Sequence, residues 1–288
     1  MIVVTGATGR LGSQIVDRLL ERVPATGLAV SVRDAGKAAH LAGRGVRVRE
    51  GDFTDPATLA HAFEGASQVL VISAAIHGPA ALHANIAAID AARAAGAGRV
   101  LYTSHQAASP DSLFAPQTTH AGTEEYLLKQ GGDFTALRNG FYAGTLEWMV
   151  GDALRTGTVA APADGPVSWT EHADLAEIAA VALTRPGALD GITPPLTAPA
   201  QVDLADVAGI LGDITGRRIG RAVVGDDEWA AAAAGRGMPA TAVDFTLGMY
   251  RAARRGEFAV TDPTLEAVLA RPATPVRATL ERIAAAAR

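Results

Sequence analysis

Glycines at positions 6, 9 and 12, within Thr5-Gly6-Ala7-Thr8-Gly9-Arg10-Leu11-Gly12, have the spacing of a loop that cradles phosphate. They follow the apolar run Ile2-Val3-Val4 and precede Ile15, Val16, Leu19 and Leu20 at helical spacing, so the segment reads as strand, turn and helix. In such a turn Gly6 permits the sharp exit from the strand, Gly9 lets backbone approach a pyrophosphate, and Gly12 lets the helix pack closely. An anion there is held by unpaired N–H groups and the positive end of the helix dipole, without a basic side chain. The expected dinucleotide contact therefore runs from Gly6 through Thr8, Gly9, Arg10 and Leu11 to Gly12. Arg33 ends the next strand candidate, Leu28 to Val32, at the place where an acidic residue about 20 residues past the glycines would hold a free ribose 2′-hydroxyl. An arginine pairs instead with a 2′-phosphate, and the expected cofactor is NADPH. Lys37 either adds a second positive charge or is a solvated surface residue.

Other groups that could do chemistry are few. His77, His83, His105 and His120 match no compact ligand spacing, and there is no cysteine to support them, so no metal is expected. Asp52 and Asp55 resemble a carboxylate pair, but an adenine contact at Asp52 and a helix N-cap at Asp55 before Pro56 account for them better. Arg138 either pairs with an acidic neighbour or terminates a strand. Composition narrows the class further. The 288 residues are 49% hydrophobic and 19% charged, which suits a folded globular chain and not a disordered one. No apolar stretch approaches the roughly 20 residues that span a bilayer. The net charge of −5, without a basic run, disfavours nucleic acid. A strand at the very start leaves no room for a signal peptide, so a cytoplasmic location is expected.

Strand candidates recur at Val46 to Arg49, Gln68 to Ser73, Arg99 to Ser104 and Phe134 to Leu137, with helical segments such as Ala80 to Ala95 between them. This alternation predicts an α/β fold: a Rossmann-type doubly wound parallel sheet over residues 1–150. Val69-Leu70-Val71-Ile72 has the continuous apolar character of a strand buried on both faces. Beyond 150 the alternation fades, and Asp203 to Leu211, Asp227 to Ala234 and Pro263 to Leu269 read as helices of a smaller α/β subdomain over 151–288. That half is expected on the substrate side, and the chain is free to cross back to the sheet.

The combination of the glycine loop with Val32-Arg33, Gly51-Asp52-Phe53, Tyr102-Thr103-Ser104, His120 to Glu124, Leu137-Arg138-Asn139-Gly140-Phe141-Tyr142 and the tail Asp262 to Leu280 resembles the NmrA-like branch of atypical short-chain dehydrogenases. Within it, the chain is most similar to the type 2 NADPH:quinone oxidoreductases, and triphenylmethane dye reductases look similar too. The resemblance implies NADPH binding by Gly6 to Gly12 and Arg33, adenine contact near Asp52 and Phe53, and nicotinamide contact around Ser73, Ala74, Asn139, Gly140, Phe141 and Tyr142.

Where an ordinary short-chain dehydrogenase carries Tyr-x-x-x-Lys, this chain has His120 and Glu124. A glutamate cannot lower a phenol's pKa as the lysine does. The spacing puts both on one helix face, which allows a His120–Glu124 hydrogen bond. A simple alcohol dehydrogenase is thereby disfavoured. A quinone tolerates the loss, because the hydroquinone anion left by hydride addition is aromatic and can take its proton from water; the protein then mainly positions the reactants. Tyr142 and His120 are the candidate catalytic residues. Tyr142, Phe141, Trp148 and Trp169 either stack on an acceptor or are core aromatics. The expected function is NADPH-dependent hydride transfer to a quinone or similar electrophilic conjugated small molecule. The alternatives are a non-catalytic NADP(H)-binding redox sensor and a reductase of an aromatic natural-product carbonyl or enone. A homodimer is left open.

Overall fold

The computed structural model describes every residue except Ala75, His77 and Arg288, so the sequence-level remark on His77 lies outside the described residues. The chain begins β1 (Ile2–Thr5), α1 (Arg10–Leu20), β2 (Leu28–Val32), α2 (Ala39–Ala42), β3 (Arg47–Glu50), α3 (Pro56–Ala62) and β4 (Gln68–Val71). It continues α4 (Pro79–Ala94), β5 (Arg99–His105), α5 (Ala115–Gln130), β6 (Asp133–Asn139), β7 (Phe141–Tyr142), α6 (Leu146–Met149), α7 (Ala153–Thr156) and β8 (Thr158–Pro162). After β9 (Trp169–Thr170), α8 (His172–Thr184) and β10 (Gly191–Ile192) come α9 (Leu204–Thr215), β11 (Gly220–Val224), α10 (Asp226–Gly235), α11 (Ala240–Arg254), α12 (Thr264–Leu269) and α13 (Val276–Ala286).

Two compact units emerge. One comprises Met1–Pro110, Pro116–Asn139 and His172–Leu196; the other comprises Asp111–Ala115, Gly140–Glu171 and Thr197–Arg288. The chain passes between them at residues 110, 115, 139, 171 and 196, where composition suggests one boundary near 150 and leaves a return to the sheet open.

In the first unit the described residues form a seven-stranded sheet in the order β10-β6-β5-β4-β1-β2-β3, with every pairing parallel. Strands β3 to β6 around β1 have the Rossmann order, and β10 adds an edge strand beyond β6. The order reverses between β1 and β4, the switch point outside which such sheets bind ligands. Burial follows from composition. Val69, Leu70 and Val71 are fully buried, as a parallel strand covered on both faces requires. In α4 the small residues Ala81, Ala84, Ala88 and Ala92 form the buried stripe, with one amide, Asn85, among them. Helix α1 packs on α8.

Sequence periodicity does not mark α5 or α8, for opposite reasons. Helix α5 buries Gln117, Thr123 and Glu124 beside Leu127, so it has no apolar stripe. Helix α8 is buried along almost its whole length, so its apolar residues run all round it.

The second unit contains two short parallel pairs, β8 with β11 and β7 with β9. Its core includes Phe114, Phe141, Trp169, Leu211, Tyr250, Phe258 and Leu280. Asp203 caps α9 by accepting from the N–H groups of Ala205 and Asp206, and Asp206 reaches back to the Asp203 N–H.

Candidate active site

Each glycine of the first turn has its own geometric reason. Gly6 has φ +60°, a left-handed conformation that a side chain disfavours. A Cβ at Gly12 would lie 2.2 Å from the Gly6 carbonyl oxygen, so only glycine lets α1 start this close to the turn. Gly9, at the N-cap, offers no side chain to the first-turn N–H groups, and that turn holds no acidic residue. Gly6, Thr8, Gly9 and Arg10 are exposed, whereas Leu11 is buried and leaves only backbone to a ligand. An uncapped, exposed helix start at a switch point fits a pyrophosphate.

Arg33 is exposed just past β2, and its charge reaches Asp52. Asp34, its neighbour, is engaged in accepting from the Gly36 N–H, and Lys37 stands 4.0 Å from Asp34. The N–H and hydroxyl of Thr54 hold the Asp52 carboxyl below the usual carboxylate range, and Arg33 adds to this. Phe53 packs partly on the core of the first unit. Asp55 stands at the N-cap of α3 before Pro56, but its carboxylate makes no cap bond, contrary to the role expected from sequence.

The ends of β1 and β4 are tied by a bond from the Ile72 N–H to Thr5 Oγ1 at 2.8 Å. Beyond it the N–H groups of Ser73 and Ala74 are already spent, on Thr103 Oγ1 (2.9 Å) and Asn85 Oδ1 (3.3 Å). Asn85 also donates to Tyr102 Oη at 3.1 Å, and Tyr102 Oη lies 2.7 Å from His120 Nδ1. The His105 and His120 rings stack with centroids 6.1 Å apart. Burial pushes His120 down to about 4; burial first, then the neighbouring His120, pushes His105 down to about 3.

The His120–Glu124 hydrogen bond that their spacing allows is not made. Glu124 is instead bound by Arg138 Nε (2.9 Å) and Nη2 (2.6 Å) and by the Ser104 hydroxyl (2.6 Å). A bidentate guanidinium outcompetes an imidazole for a carboxylate, and this pairing decides between the two sequence readings of Arg138. Asn139 is buried in the first unit, and its Oδ1 has no partner among the described residues. Gly140, Phe141 and Tyr142 belong to the second unit. There Phe141 is a core aromatic against Trp169 (5.3 Å) and Phe258 (4.8 Å), so it has only backbone for a cofactor, whereas Tyr142 is half-buried and Trp148 is 52% exposed. Sequence reasoning misses Asn85 and gives Tyr102 no role; a single amide in an alanine stripe is the signal that could have found the former. Among the described residues no group of three or more His, Asp or Glu could hold a metal, and no helix is long and apolar enough to cross a membrane.

A switch-point turn with an uncapped helix start defines a dinucleotide-binding protein. The NAD(P)H-binding family model matches residues 6–186, and the chain belongs to that family. It is 32% identical to quinone oxidoreductase 2 of Escherichia coli, covering 95% of each chain. It is also 32% identical to the NAD(P)H azoreductase of Xenophilus azovorans, covering 95% of this chain and 94% of that one. The solved NADPH-dependent quinone oxidoreductase of E. coli, complexed with NADPH, superposes with a TM-score of 0.92 at 29% identity, covering 98% of this chain and 99% of that one. The chain is an NAD(P)H-dependent oxidoreductase.

Proposed function

We propose that this protein reduces a quinone, or a similarly electrophilic conjugated molecule, with NADPH as hydride donor. The observation that carries the reading is the state of positions 120 and 124: Glu124 is locked to Arg138, and His120 is neutral at physiological pH. Neither is poised to hand a proton to an alkoxide. An acceptor that stabilises the added electron pair on its own suits such a site. The E. coli relative named for quinone and the X. azovorans relative named for azo reduction support the class of acceptor.

In this reading the backbone from Gly6 to Gly12 holds the pyrophosphate and Arg33 holds the 2′-phosphate. Asp52 and Phe53 meet the adenine side, and Ser73, Ala74 and Asn139 to Tyr142 border the nicotinamide. Bound NADPH supplies a hydride, and the acceptor takes one further proton from water. His120 acts as a neutral hydrogen-bond donor to the acceptor oxygen, and Tyr142 contributes a ring or a hydroxyl.

The test is anaerobic NADPH oxidation with and without a small soluble quinone, with NADH in parallel. Fast, quinone-dependent oxidation of NADPH in preference to NADH is expected. Cofactor binding without turnover across several quinones would refute the enzyme reading and favour a redox sensor.

A further inference from the structure

The donor directions around His120 can be worked out from one backbone group. The Ala74 N–H can only donate, so the Asn85 atom it meets is Oδ1, and the Asn85 NH2 faces Tyr102 Oη at 3.1 Å and Thr123 Oγ1 at 3.4 Å. Thr123 gives its own hydrogen to the Thr119 carbonyl at 2.9 Å and so accepts from Asn85. The phenol oxygen likewise receives a hydrogen from Asn85, which leaves its own for His120 Nδ1 at 2.7 Å. A neutral ring whose Nδ1 accepts carries its hydrogen on Nε2. Asn85 and Tyr102 are both buried, whereas His120 keeps partial exposure.

We propose that Asn85 and Tyr102 are positioning residues that fix His120 in the Nε2–H tautomer, so that the ring presents a donor to a bound acceptor. The chain of bonds starts at Ala74, in the segment assigned to the nicotinamide, and so couples that segment to the imidazole. The catalytic consequence rests on the quinone-reductase reading; the tautomer does not. It can be read in the protein with no cofactor or acceptor present.

The experiment is NMR of protein labelled with 15N at histidine, at neutral pH, with the His120 signals assigned by their loss in H120Q. The expected spectrum has an unprotonated Nδ1 and a protonated Nε2. Y102F removes the donor, and N85D offers the phenol a competing acceptor; each is expected to populate Nδ1–H or the imidazolium. A wild-type ring protonated on Nδ1, or a tautomer unmoved in both variants, overturns the proposal, and the wild-type spectrum decides even if neither variant folds. In turnover, H120Q keeps an amide near the Nε2 position and H120N does not. H120Q is expected to exceed H120N at least tenfold in kcat with similar KM for NADPH, and equal kcat values would remove the catalytic consequence. If no quinone is reduced at all, the function reading fails while the tautomer stands or falls on its spectrum.

Discussion

Lowering the pH from 7 to 5 should destabilise this protein through two histidines. His105 and His120 are held neutral, with pKa values of about 3 and about 4, against an ordinary value near 6.5. Below pH 6.5 the unfolded chain takes up a proton at each site while the folded chain does not, so protonation favours unfolding. Stability is full above that value and falls as pH drops toward the folded pKa values. At about 1.4 kcal/mol per unit, the drop to pH 5 costs about 2 kcal/mol for each ring and about 4 kcal/mol for the pair. The carboxyls of Asp52, Glu125 and Asp226, each held below its ordinary range by hydrogen bonds from its neighbours, contribute mainly below this window. Urea unfolding at pH 7, 6 and 5 measures the slope, and the same series on H105Q and H120Q isolates each ring. A wild-type slope that matches that of both variants would show that the rings titrate normally and refute the argument.

Three substitutions test other parts of the site. Arg33→Asp should weaken NADPH binding about 10- to 100-fold while sparing NADH, as loss of a charge-assisted phosphate contact implies; calorimetric titration of both cofactors checks it. Gly12→Ala puts a methyl 2.2 Å from the Gly6 carbonyl oxygen, so it should lower thermal stability by about 1–3 kcal/mol and reduce NADPH affinity together. Glu124→Ala leaves Arg138 unpartnered on a largely buried side and should cost about 3 kcal/mol, with the E124A/R138A double variant costing much less than the two singles combined in a urea-melt cycle.

The sheet is legible in sequence because parallel strands buried on both faces write themselves as apolar runs, and β4 is the clearest case. The turn is legible because Gly6 is required by its left-handed backbone conformation and Gly12 by its close approach to the Gly6 carbonyl. The partners of positions 120 and 124 are not legible. Spacing along α5 brings the two residues onto one face, but the groups that compete for them, Arg138 and Ser104 for Glu124 and Tyr102 for His120, lie on neighbouring strands. Helix periodicity has no information on which strand residue arrives opposite, and a guanidinium fork outweighs a local neighbour. Helix α5 itself is hidden for the same reason, since its buried face carries groups that pair across elements.

On the proposed quinone-reductase reading, the exchange of Tyr and Lys for His120 and Glu124 amounts to a choice of acceptor. In the ordinary enzyme a lysine cation beside the phenol makes it a ready acid for an alkoxide. Here the nearby cation, Arg138, is neutralised by Glu124, and the imidazole remains uncharged. A neutral N–H can stabilise an oxyanion by hydrogen bonding, worth about 10²–10³ in rate where such donors have been removed, but it is a much weaker acid than a phenol activated by a lysine cation. A simple ketone leaves a strongly basic alkoxide, which such a donor can stabilise but which still needs a proton that neither Glu124 nor an uncharged His120 readily gives. A quinone leaves a delocalised hydroquinone anion that needs no immediate proton. Turnover should therefore follow hydride affinity, with quinones reduced and unactivated ketones inert at equal concentration in the anaerobic NADPH assay. Comparable rates with both would mean that another acid serves the site and that the neutral-donor argument is wrong.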